Sequence, residues 1–143
     1  MPQTQANSSQ TRSDARPGGV HIESVKTHRD ARGSLFEPLN DVELKSQKNV
    51  HVVLTAPNEV RGNHRHARAV EMTTLVGPCL VRLKEAGVIR DVEVPAGETW
   101  RFTIPPGVAH AYRNTGSEPM VLISFSTEVH DPNASDTIRE QIL

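Results

Sequence analysis

The sequence predicts an all-β domain that closes as a barrel or jelly roll, and three observations carry that expectation. From Val20 onward, short apolar runs rich in β-branched residues are cut about every ten residues by Gly, Pro, Asn or Asp, which is the spacing of sandwiches and barrels. No window of about a dozen residues sustains a 3.6-residue apolar period, so helices have little support. Nor is there an internal repeat of the kind that marks solenoids and propellers. Closure is the simplest way for many short strands to remove exposed edges.

Taken in order, residues 1–19 (MPQTQANSSQTRSDARPGG) are rich in Gln, Ser, Asn and Arg and offer almost nothing to bury, which predicts a disordered arm. One domain over 20–143 follows, because the chain of 143 residues holds one sizeable core but not two ordinary ones. Strands are expected at VHIESV (20–25), GSLFEPL (33–39), NVHVVLTA (49–56), AVEMTTLV (69–76), CLVRLKE (79–85), IRDVEV (89–94), TWRFTIP (99–105) and PMVLISFS (119–126). Gly87, Pro95-Ala96-Gly97, Pro105-Pro106-Gly107 and Asn114-Thr115-Gly116 supply turn chemistry between them. Only DTIREQIL (136–143) could make a short helix, capped by Asp136 or Ser135. Trp100, Phe102, Phe36 and Phe125 are expected in the core and Cys79 as a small buried residue.

Composition excludes several functions. With 16 Lys plus Arg against 17 Asp plus Glu, the formal net charge is -1, and no strong field exists to gather nucleic acid or an anionic membrane. The single cysteine cannot close an intramolecular disulfide, and the first residues lack the apolar run of a secretory signal, so a cytoplasmic setting is expected. No stretch approaches the roughly 20 apolar residues that span a bilayer.

One segment concentrates the chemistry: RGNHRHARAVE (61–71). On a strand, His64 and His66 project to one face, about 6.5 to 7 Å apart along it. They can be metal ligands together with Glu71 at the start of the next strand, parts of an acid/base site, or ordinary surface residues. A further ligand type appears in PPGVAHAYRN (105–114), where a rigid Pro-Pro-Gly turn precedes a strand presenting His110.

Both segments resemble the motifs of the cupin superfamily. The first cupin motif, His-x-His followed after four residues by Glu, is matched by His64, His66 and Glu71. The second, Pro-x-Gly, two residues, His, three residues, Asn, is matched by Pro105, Gly107, His110 and Asn114. Gly77 falls one residue short of the usual spacing and Gly97 lies two residues further from Pro105. The segments 30–39, 60–66 and 114–137 extend the resemblance to the branch that processes nucleotide-linked deoxysugars: dTDP-4-dehydrorhamnose 3,5-epimerases, dTDP-sugar 3,4-ketoisomerases and the cupin domain of capsule-biosynthesis epimerase/reductases. The 3,5-epimerases usually carry Gln where His66 stands, and the ketoisomerases usually lack the counterparts of Glu71 and His110. The capsule-type domain keeps all four ligands and binds zinc, and it is fused to a reductase for which this chain has no dinucleotide fingerprint.

The resemblance implies a single-domain cupin (double-stranded β-helix, jelly-roll barrel) that binds one divalent metal through His64, His66, Glu71 and His110. Zinc is favoured; iron, manganese and nickel suit the same ligands. It implies action on a nucleotide-linked 4-keto deoxysugar by proton abstraction beside the carbonyl, as epimerase or keto-isomerase. Because His64 cannot both ligate and take the proton, the catalytic candidates are Tyr112, on the face of His110, and His51. Arg61 and Arg32 are the candidates for the diphosphate of the small-molecule substrate. Glu37 and His130 read as strand and loop residues. Two other functions use the same residues: an Fe(II)-dependent dioxygenase, or a non-catalytic sugar- or effector-binding cupin. Cupins of this branch commonly form homodimers through their amino-terminal strands, and residues 20–40 suit that role.

Overall fold

The computed structural model describes residues 13–15 and 19–143. In chain order the elements are β1 (Ser13–Ala15), β2 (His21–Ser24), β3 (Thr27–Asp30), β4 (Gly33–Phe36), α1 (Asp41–Leu44), β5 (Asn49–Thr55), β6 (Val60–His66), β7 (Glu71–Val76), β8 (Cys79–Glu85), β9 (Val88–Val94), β10 (Thr99–Ile104), β11 (Ala109–Asn114), β12 (Met120–Ser126) and β13 (Thr137–Arg139). Six strands form one sheet in the order β1-β2-β10-β7-β12-β5, and five form a second in the order β13-β6-β11-β8-β9. Every pairing is antiparallel. The expected cupin-type jelly roll is met as a two-sheet sandwich whose sheets stay open. Strands β3 and β4 form a separate hairpin. Most of the arm expected over 1–19 lies outside the described residues; its described part, β1, pairs with His21–Glu23.

Alternation along the strands decides where the core ends and the cavity begins. On β7 the inward row is Leu75, Thr73, Glu71; on β12 it is Leu122, Ser124, Ser126, paired with them one to one. On β5 it continues as Val53, His51, Asn49. Each row is apolar at one end of the sandwich and polar at the other. The apolar end is filled by Leu75, Val81, Leu83, Phe102, Ile104 and Leu122. Side chains of this kind contribute roughly 1.5–3 kcal/mol each on full burial, so this end holds the sandwich together and leaves the polar end to form a site. Trp100, Phe102, Phe125 and Cys79 are buried as expected, whereas Phe36, on the detached hairpin, is only half-buried.

Two local expectations are corrected. Residues 137–139 are strand β13, not a helix, because the outer edge of β6 offers unpaired backbone groups and the β-branched Thr137 and Ile138 pair with it. Asp136 does not cap a helix; its carboxylate accepts the backbone N–H groups of Arg68 at 2.8 Å and Ala69 at 2.9 Å. The helix that does form, α1, was hidden by its single turn. Asn40 caps it by accepting the Glu43 N–H at 2.8 Å. Among the described residues no helix is long and apolar enough to cross a membrane.

Candidate metal centre

At the polar end lies a cavity of about 540 Å³ lined by β5, β6, β7, β11, β12 and β13. His64, His66 and Glu71 line it, His110 lies fully buried beside them, and one ligand atom from each of the four lies within 4.8 Å of all the others. His64 comes from the centre of β6 and His66 from its end, Glu71 from the start of β7, and His110 from β11 directly opposite His64. The His64 and His110 rings meet edge to face with centroids 4.7 Å apart, and His64 and His66 do so at 5.1 Å.

Hydrogen bonds aim these ligands. The Nδ1 of His110 lies 3.1 Å from the Val108 carbonyl, which can only accept, so Nδ1 carries the proton and Nε2 presents a lone pair. That Nε2 is fully buried, has no hydrogen-bond partner among the described residues and sits 3.3 Å from Glu71 Oε2. His66 Nε2 contacts the same Oε2, and its Nδ1 faces Asp136 Oδ2 at 3.6 Å. The other carboxylate oxygen, Glu71 Oε1, accepts from Thr73 Oγ1 at 2.9 Å and from Ser124 Oγ at 2.7 Å.

Electrostatics follow from burial and proximity. Burial, reinforced by the neighbouring His110 ring against the pull of Glu71, brings His64 down to about 4, so this imidazole is neutral at neutral pH. Burial also lowers His66, but its hydrogen bond to Glu71 and the charges of Glu71 and Asp136 outweigh this and raise it. Burial would raise Glu71, yet the His110 and His66 contacts hold it well below the usual carboxylate range. Tyr112 is pushed well above the ordinary phenol range by burial and by the Glu71 charge, and its hydroxyl makes no hydrogen bond of ordinary length.

The donor set fits a cation. Three imidazoles and a carboxylate suit a borderline-soft divalent metal at about 2.0–2.2 Å. A buried, unpartnered His110 Nε2 beside an ionised carboxylate is what such a centre requires.

The other expected residues divide. Tyr112, Arg61 and His51 line the cavity. His51 contacts Asn49 Nδ2 at 3.2 Å and stands edge-on to His130, with centroids 6.1 Å apart. Arg32 sits in the β3–β4 turn, paired with Asp30 at 2.5 Å, and does not line the cavity. The sequence reading missed Thr73, Ser124, Asp136 and Arg139. Thr73 could have been found by two-residue alternation from Glu71, but Ser124, Asp136 and Arg139 are brought in by strand pairing alone, with no local signal.

Residues 28–138 match the family described as the polysaccharide biosynthesis C-terminal domain. The chain belongs to this family. Spore coat polysaccharide biosynthesis protein SpsL of Bacillus subtilis (strain 168) is 27% identical over 134 residues, covering 85% of this chain and 87% of SpsL. Among solved structures, the capsular polysaccharide assembling protein CapF from Staphylococcus aureus matches with a TM-score of 0.62 and 27% identity over 82% of this chain. The chain spans only 33% of CapF. QdtA, a sugar 3,4-ketoisomerase from Thermoanaerobacterium thermosaccharolyticum crystallised with TDP, matches with a TM-score of 0.66 and 21% identity over 85% of this chain and 88% of QdtA, a likeness of fold. The family is thus one of polysaccharide biosynthesis, and the expected cupin-type architecture is met as a likeness of fold.

Proposed function

We propose that this chain is an enzyme of polysaccharide biosynthesis that moves a proton beside the carbonyl of a nucleotide-linked 4-keto deoxysugar, as an epimerase or keto-isomerase. The convergence of His64, His66, Glu71 and His110 at the inner wall of an open cavity carries this reading. These four residues would hold one divalent cation, with zinc favoured by its liking for imidazole and carboxylate ligands and iron, manganese or nickel able to replace it. The cation would supply Lewis-acid stabilisation of the enolate oxygen.

The chain's own groups do the rest. A base takes the proton from the carbon next to the carbonyl, the electron pair passes onto oxygen as an enolate, and a proton returned to carbon completes the exchange. His64 is neutral, but its lone pair is committed to the cation, which leaves His51 on the opposite sheet as the base. Tyr112 keeps its proton because of burial and Glu71, so it serves as donor and not as base. Arg61 and Arg139 face the mouth, where a diphosphate would lie.

The reading further takes the chain to be a cytoplasmic homodimer. The exposed apolar row Val50, Val52 and Leu54 on the outer face of the edge strand β5 supports the dimer.

The test is deuterium exchange. The zinc-loaded chain is incubated in D2O with TDP-4-keto-6-deoxyglucose, and the expected result is deuterium at a carbon adjacent to the keto group. A metal-loaded chain that exchanges no such proton would overturn the enzymatic reading and leave a sugar-binding protein. Oxygen uptake by the iron-loaded chain would point to a dioxygenase instead.

A further inference from the structure

We infer that Thr73 and Ser124 are positioning residues that restrict Glu71 to one-oxygen ligation and so keep a coordination position free on the cavity side. The inference rests on the metal-binding reading above and deepens it. It starts from the acceptor capacity of a carboxylate, which is about two lone-pair sites on each oxygen. Glu71 Oε1 already receives the Thr73 hydroxyl at 2.9 Å and the Ser124 hydroxyl at 2.7 Å, so its in-plane sites are filled. Glu71 Oε2 points the other way, toward His66 Nε2 and His110 Nε2.

The arrangement is built into the sheet and is not a chance of rotamers. Thr73 lies two residues from Glu71 on the same face of β7, and Ser124 is paired directly with Thr73 across β12. The two hydroxyl oxygens are 3.1 Å apart, close enough that one carboxylate oxygen takes both protons. Thr73 is fully buried and Glu71 nearly so, which removes competing water and strengthens both bonds.

The consequence concerns ligand count. A two-oxygen glutamate with three histidines would occupy five positions around the cation, and the cavity would face a crowded centre. A one-oxygen glutamate leaves the protein supplying four ligands, with space on the cavity side for an oxygen of the substrate. Without the hydroxyls, Oε1 has no partner among the described residues and would turn to the cation.

Cobalt(II) reports coordination number through the intensity and position of its visible bands, independently of turnover. Full-length wild type, Thr73→Val, Ser124→Ala and the double variant are loaded with cobalt(II), and zinc affinity is measured by competition with a chromophoric chelator. Thermal unfolding of each metal-free protein establishes that it folds. The expected result is a weaker, higher-energy cobalt spectrum in the double variant and a zinc affinity about tenfold lower, with a smaller change in each single variant. Thr73→Ser, which keeps the hydroxyl, should restore the wild-type spectrum. A folded double variant with an unchanged cobalt spectrum overturns the inference, whether or not its affinity falls. A wild type that gives no cobalt band and takes no zinc from the chelator overturns the metal reading itself, and this inference with it.

Discussion

Arg61 and His64, three residues apart on β6, face the same cavity. Strict alternation would put them on opposite faces, but β11 pairs His110 with His64, Ala111 with Gly62 and Tyr112 with Arg61, so Asn63 is an extra residue bulged out of the ladder. Gly62 and Asn63 both adopt positive φ, 95° and 57°. The expelled Asn63 side chain then fastens the carboxyl terminus, its Oδ1 accepting the Ile142 N–H at 2.9 Å and the Leu143 N–H at 3.0 Å.

The bulge can be broken at Gly62. A Cβ there would come within 2.7 Å of the His110 carbonyl oxygen and 3.0 Å of Ala111 Cα, and the positive φ disfavours any side chain. Gly62→Ala should therefore cost about 1–3 kcal/mol in stability, with loss of metal binding as His64 and His110 move apart. Thermal unfolding and zinc titration check both. An Ala variant with unchanged melting and affinity would show that the bulge does not hold the site.

Tyr112→Phe separates chemistry from stability. The hydroxyl is buried and makes no hydrogen bond of ordinary length among the described residues, and such a group costs about 1–3 kcal/mol, so its removal should leave the melting temperature unchanged or raise it. If that hydroxyl donates to the developing enolate oxygen, deuterium exchange should fall by about a hundredfold. A Phe variant that exchanges at the wild-type rate removes Tyr112 from the reaction.

Why the ligands were legible in the sequence and their supports were not follows from geometry. His64, His66 and Glu71 lie within one short stretch of chain, on β6 and at the start of the strand that follows it, and His110 follows a Pro-Pro-Gly turn, so spacing alone carries them. The all-β jelly-roll class was likewise legible from runs and breakers, although the closure expected of it was not met and the two sheets stay open. What sequence spacing cannot carry is pairing between distant strands: Ser124 reaches Glu71 across 53 residues and Asp136 reaches Ala69 across 67. Carboxyl-terminal residues 136–143 illustrate the same limit. Their local pattern allows a helical turn, and only the open edge of β6 makes Thr137–Arg139 a strand.

Acid should weaken the metal-free chain in a defined window. His64 titrates near 6.5 when unfolded and about 4 when folded, so between these values the unfolded chain binds the extra proton and stability falls as pH falls. His66 has the opposite sign: its folded value is raised, so it adds stability as pH drops toward 6.5 and changes nothing further below that. Glu71 is held well below 4.5 when folded, so its contribution is complete above 4.5 and is lost progressively as pH falls from there. The net expectation is a melting temperature that declines from pH 6.5 to about pH 4, with His64→Gln flattening the decline. Calorimetry of both proteins across that range decides it.

Dimerisation should depend on the outer face of β5. Val52 and Leu54 are 68% and 64% exposed on an edge strand, an apolar strip that a lone domain gains nothing by displaying. Light scattering behind size exclusion should give a dimer for wild type and a monomer for Val52→Lys/Leu54→Lys, with the metal-binding stoichiometry per chain unchanged. A wild-type monomer at high concentration would overturn the assignment.

The mouth of the cavity should read as an anion site. Arg139 of β13 is paired with His64, and Arg61 lies about 7 Å further along the same face by the strand rise. Among the described residues neither makes an ion pair, unlike Arg32, Arg65, Arg68, Arg82 and Arg101, so their charges remain available to a ligand. A guanidinium contact to phosphate is charge-assisted, and losing about 1.4 kcal/mol of it is a tenfold loss of affinity. Arg61→Met and Arg139→Met should each weaken TDP binding by calorimetry about tenfold and flatten its dependence on salt, while Arg32→Met should leave a single domain's affinity unchanged. If Arg32→Met weakens TDP and Arg139→Met does not, the diphosphate lies elsewhere, against the β3–β4 hairpin of this chain or of a second copy.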